Sequence, residues 1–127
     1  MQVPILKQGQ FLIASIQSAL SDADLLRLRD DLVEQVGRYR SRGVIVDVTV
    51  LDVMDSFAVR TLSTLAHMIR LRGAETVIVG IQPEVAFAMV QLGLTLSGIA
   101  TALDLEEGTA LLMRRFGGGG GGPARGR

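Results

Sequence analysis

Three runs in this chain are apolar at nearly every position: Leu12-Ile13-Ala14-Ser15-Ile16, Val44-Ile45-Val46-Asp47-Val48 and Thr76-Val77-Ile78-Val79. A strand with one wet face alternates polar and apolar residues, so strands reading like these are buried on both sides. Between them the period changes. Leu25, Leu28, Leu32, Val36 and Tyr39 recur at helical spacing, as do Phe57, Leu62, Leu65, Ala66 and Ile69, and then Val85, Ala86, Met89 and Val90. Buried strands alternating with amphipathic helices predict an α/β fold, a mixed or mainly parallel sheet with helices packed on at least one face.

Turn and cap chemistry sets the predicted boundaries. Residues 3–7 and 10–16 form a hairpin around Gly9. Ser21-Asp22-Ala23-Asp24 is a capping box opening a helix that runs up to Gly43. Asp55 caps a second helix, which starts at Ser56 and stops at Gly73. Pro83 opens a third, ended by Gly93, and Asp104 caps a fourth after a last strand over 99–103. The predicted order is ββαβαβαβα. One domain spans 1–116, about the length at which a chain buries a core unaided. Six glycines, Gly117 to Gly122, open a tail over 117–127 that offers no apolar side chain to pack.

Composition removes several functions. The 13 basic and 13 acidic residues cancel, and setting aside Arg125 and Arg127 leaves the folded part slightly acidic. A nucleic-acid surface needs the opposite. Without cysteine there are no disulfides and no thiolate chemistry, which suits the cytoplasm. The apolar run at Phe11 to Ile16 is shorter than a signal-peptide core, and no stretch approaches the roughly 20 apolar residues that cross a bilayer. No direct membrane contact is expected.

Enzymatic chemistry finds little support either. His67, the single histidine, lies eleven residues beyond Ser56 on the same helix, about 16 Å by helical rise and too far for a catalytic hydrogen bond. Asp47, Asp52 and Asp55 are explained by capping and loop solvation, and no metal or other cofactor is expected. The arginines at 38, 40 and 42, at 70 and 72, and at 114 and 115 fall at helix ends, where cations complement the dipole. Ser56 is different. It stands at the mouth of a helix, with its hydroxyl expected to be exposed, where a phosphoryl group would meet the helix dipole on one side and Asp52 and Asp55 on the other. An isolated Asp-Ser pair is nevertheless accounted for by ordinary capping.

Five motifs in order carry more: L-I-A-S-I-Q at Leu12 to Gln17, G-V-I-V-D-V-T at Gly43 to Thr49, D-V-M-D-S-F at Asp52 to Phe57, G-I-Q-P-E-V at Gly80 to Val85, and T-A-L-D-L-E at Thr101 to Glu106. Together with the element order they resemble the STAS domain of anti-sigma-factor antagonists, and within it the RsbS-type scaffold subunits of the bacterial stressosome. The resemblance implies a non-catalytic partner switch in a stress-response pathway. Ser56 would be the phosphorylation site, with Asp52, Met54, Asp55, Phe57 and Arg60 as its partner-binding surroundings. The implied partners are an RsbT-like serine/threonine kinase held captive until Ser56 is phosphorylated, RsbR-like sensor paralogues, further copies in a large assembly, and a phosphatase that resets the serine. RsbR-type proteins carry a large N-terminal sensory domain for which this chain has no room, so the scaffold is the nearer likeness. The other reading within the family is a free anti-anti-sigma factor that binds an anti-sigma kinase directly.

Overall fold

A computed structural model describes residues 2–117, so the glycine-rich segment from residue 118 onward lies outside the described residues. Five strands, β1 (Ile5–Gln8), β2 (Phe11–Ser15), β3 (Gly43–Asp47), β4 (Glu75–Val79) and β5 (Ala100–Ala102), form one sheet in sequence order. The pair β1–β2 is antiparallel and each later pair is parallel. Helices α1 (Asp22–Tyr39), α2 (Ser56–Leu71), α3 (Pro83–Gln91) and α4 (Leu105–Leu112) fill the crossovers and the end, and α4 runs on into a π-helical turn, Met113–Gly117. The predicted mixed sheet and element order are both present.

The apolar strands are covered on both faces, as their lack of alternation requires. Leu12, Ala14, Val44, Val46, Val48 and Ile78 point to the side taken by α1, α2 and α3, where Leu32, Leu65, Ile69 and Val85 complete the larger core. Phe11, Ile13, Ile45, Val77 and Val79 point the other way, onto Leu112 of α4. Contact on that second face is close. A Cβ at Gly108 would lie 2.6 Å from Cγ1 of Val79, so a hydrogen at this position lets α4 sit down on the sheet.

Several expectations need correction at helix ends. Tyr39 continues the α1 stripe but is 42% exposed, its ring lying beside the polar end of Lys7 on the edge strand β1. Val90 is exposed on α3 because it lies off the face on which the adjacent Met89 is buried, and Ala86 is exposed too. Nor does Gly43 stop α1. The helix ends at Arg40, which takes the left-handed conformation itself, and Gly43 is the first residue of β3.

Candidate functional site

The loop between β3 and α2 is built from local hydrogen bonds. Oδ1 of Asp47 accepts from both the N–H (2.9 Å) and the hydroxyl (2.6 Å) of Thr49, turning the chain out of the strand. The N–H of Leu51 then donates to the Val48 carbonyl at 2.9 Å. A second loop braces the first: Nε2 of Gln82, just ahead of α3, donates to the Thr49 carbonyl at 2.7 Å. Gly80 permits this approach. It has φ +83°, and a Cβ there would be 1.9 Å from the Thr49 hydroxyl and 3.1 Å from its Cα.

Held this way, the loop delivers Asp55 as the N-cap of α2. Its Oδ1 accepts from the Ala58 N–H at 2.8 Å, and its carbonyl accepts the first helical hydrogen bond, from Val59, at 3.0 Å. Ser56 is therefore the first helical residue, ahead of the hydrogen-bond ladder and at the positive end of the dipole. Replacing Asp55 by alanine is expected to cost about 1 kcal/mol in urea denaturation, whereas Asp55→Asn keeps a capping oxygen and most of that stability. Comparing the two variants separates the cap from the charge.

Around Ser56 the predicted surroundings divide. Asp52, Asp55 and Arg60 are exposed and Phe57 is half-buried. Arg60 lies one turn along α2 from Ser56, on the same helix face. Ser56 itself is half-buried rather than fully exposed. Met54 is a correction: at 6% exposure it packs into the larger core, since the turn that places Asp55 at the helix mouth carries the preceding-residue side chain inward. Its neighbour Val53 is the exposed apolar residue of the loop, at 72%. Val53 and Asp55 also line a small cleft of about 140 Å³ with Leu20, Asp22, Leu25 and Leu51, apolar at its base and acidic at its rim. Sequence reasoning missed this cleft, which joins residues some thirty positions apart. Gln82 and Gly80 were missed as well, although a glycine and glutamine ahead of a helix-opening proline are the signal that would have found them.

Nothing here resembles a metal centre or a triad. Among the described residues no group of three or more His, Cys, Asp or Glu side chains converges. His67 is exposed in mid-helix. No described helix is long and apolar enough to cross a membrane.

The STAS domain model matches residues 2–108. The chain belongs to the STAS domain family. Among solved STAS structures, a serine-to-glutamate variant of Moorella thermoacetica RsbS is 31% identical, with a TM-score of 0.77 over 89% of this chain and 96% of that one. A chain from the molecular architecture of the stressosome, a signal integration and transduction hub, is 32% identical, with a TM-score of 0.75 over 88% and 97%. The RsbT co-antagonist protein RsbRA of Bacillus subtilis (strain 168) is 35% identical over 89 residues, which is 68% of this chain and 32% of that protein. This STAS chain thus spans about a third of the length of the curated relatives it matches.

Proposed function

We propose that this chain is a phosphorylatable, non-catalytic antagonist of the RsbS kind, which holds an RsbT-type serine kinase and releases it when Ser56 is phosphorylated. The observation that carries the reading is the position of Ser56: half-exposed, first in α2, outside the helical hydrogen-bond ladder, on a chain similar to RsbS across most of both lengths. A hydroxyl there can be covered by a partner at little cost, with Val53 and Phe57 supplying apolar contact. A phosphoryl group there adds close to two negative charges beside Asp52 and Asp55, and covering those against a partner brings desolvation and like-charge repulsion. The acidic rim of the adjoining cleft, Asp22 and Asp55, fits a partner that approaches with a basic residue beside an apolar one.

The likeness to a stressosome chain and to an RsbT co-antagonist supports assembly with RsbR-type paralogues into a large particle, with a phosphatase restoring the serine. The domain is taken as residues 1–116, and the setting as the cytoplasm.

Intact-mass spectrometry of the chain incubated with ATP, magnesium and an RsbT-type kinase tests the switch, alongside Ser56→Ala. One added phosphate on the natural sequence and none on the variant is the expected result. A phosphate that persists in the variant, or none on either, would overturn the assignment. Size-exclusion chromatography with a co-expressed RsbR-type paralogue tests the assembly: a large particle is expected, and a one-to-one complex with an anti-sigma kinase in its place would favour a free anti-anti-sigma factor.

A further inference from the structure

We infer that the cavity between the C-terminal ends of α1 and α2 is a binding site for a phosphate-bearing small molecule. The cavity has a volume of about 390 Å³, and its lining includes Gly37, Arg40, Ser41, Arg42 and Arg72 but no carboxylate. Three of the other helix-end arginines have partners. Arg38 pairs with Glu34 at 2.7 Å, Arg115 with Glu75 at 3.7 Å, and Arg70 donates to the Gly98 carbonyl. Among the described residues, Arg40 and Arg72 have no side-chain hydrogen bond or ion pair, and Arg42 only lies over the Phe116 ring, 4.8 Å from its centroid. Three positive side chains around one opening with no carboxylate among them repel one another, and an anion between them lowers that cost.

Ser41 is the second, independent observation. The residue is 4% exposed, and its hydroxyl has no hydrogen-bond partner although its N–H donates to the Val36 carbonyl at 3.2 Å. Buried hydroxyls are seldom left unmatched. Guanidinium groups only donate, so the charged part of the lining is complementary to a group made of acceptors, with the unmatched Ser41 hydroxyl buried in the wall behind it. Guanidinium forks in particular match the edges of a tetrahedral oxyanion.

Arg72 is also given room. A Cβ on Gly37 would fall 1.9 Å from its Nη2, so the guanidinium lies against the bare backbone of α1. Glycine within a helix weakens it relative to alanine, and here that loss seats a charge at the cavity wall.

Helix C-termini are the negative ends of their dipoles and by themselves repel anions. Each end carries about −0.5 of an elementary charge, so the two together offset about one of the three guanidiniums and leave about two positive charges, the complement of a phosphate dianion. The cavity stands about 24 Å from Ser56 along α2 by helical rise, so this inference does not depend on the proposed switch.

Titration of the full chain with inorganic phosphate at constant ionic strength, followed by calorimetry and by melting temperature, tests the site. Saturable binding at one site with a dissociation constant below about 1 mM is expected, weakened at least tenfold in Arg40→Gln and in Arg72→Gln, and several-fold in Arg72→Lys, which keeps the charge and loses the fork. Circular dichroism without phosphate checks that each variant is folded. A parallel titration with adenosine monophosphate separates the sources: tighter binding than phosphate assigns the site to phosphate esters, and equal or weaker binding assigns it to the free ion. A melting response matched by chloride, or full binding retained in the folded Arg40→Gln/Arg72→Gln double variant, would overturn the inference.

Discussion

Glutamate in place of Ser56 is expected to weaken capture of an RsbT-type kinase more than a hundredfold while leaving the melting temperature of the isolated chain level or slightly raised. The two halves of this result have opposite causes. A carboxylate at the first position of α2 faces the positive end of the dipole, a placement that stabilises a helix by about 0.3–1 kcal/mol. In a complex the same carboxylate is stripped of water beside Asp52 and Asp55, where a loss of about 2.8 kcal/mol corresponds to a hundredfold in affinity. Calorimetric titration of the kinase with each form, together with thermal melts of the isolated chain, reads both quantities. Lost binding accompanied by a fall in melting temperature would instead mean that the loop had come apart. Unchanged binding would remove Ser56 from the interface.

The second large effect is expected at Gly80→Val, a loss of about 2–6 kcal/mol in urea denaturation. A β-branched residue at φ +83° carries backbone strain of about 1–3 kcal/mol, and driving a side chain into Thr49 adds about 1–3 kcal/mol of overpacking. Thr49→Ala in the same molecule separates the two. Removing the hydroxyl relieves the 1.9 Å contact but not the strain, so the double variant is expected to recover part of the loss and no more. Full recovery would show that the backbone at residue 80 is not strained by a side chain.

Features fixed by neighbours in sequence were legible. The cap at Ser21, where the side chain accepts from the Asp24 N–H and Asp24 answers from its own carboxylate, was written in four residues. The same is true of Asp55 and of Asp104, whose Oδ1 accepts from the Glu107 N–H at 2.9 Å. Ser56 owed its prominence to five motifs in order, since the cap alone is common chemistry. What escaped depends on distant segments meeting. Periodicity placed Tyr39 and Val90 on buried faces because it does not record which positions of an apolar helix meet the sheet. Leu112 and Gly108, which close the second face, stand in a short helix flanked by the exposed apolar Leu105 and Met113, so composition does not single out the buried positions. Met54 looked like a surface residue because its neighbours are, and only the direction of the turn sends it inward. The arginines at positions 40, 42 and 72 read separately as helix ends, and they become one constellation only when α1 and α2 finish side by side.

The two faces of the sheet are unequally guarded. Three helices cover one side, while the other is closed by α4, with Leu112 as its fully buried anchor against β2, β3 and β4. Native molecules open first where the least apolar contact holds them. In this chain α3 has the least of it, Val85 and Met89 being its buried residues, so its opening is the expected cheapest excursion and leaves α1, α2 and the sheet standing. Because Gln82 stands just ahead of α3, such a fluctuation is also expected to loosen its brace on the Thr49 carbonyl, so the loop leading to Ser56 slackens with α3 while α4 stays seated.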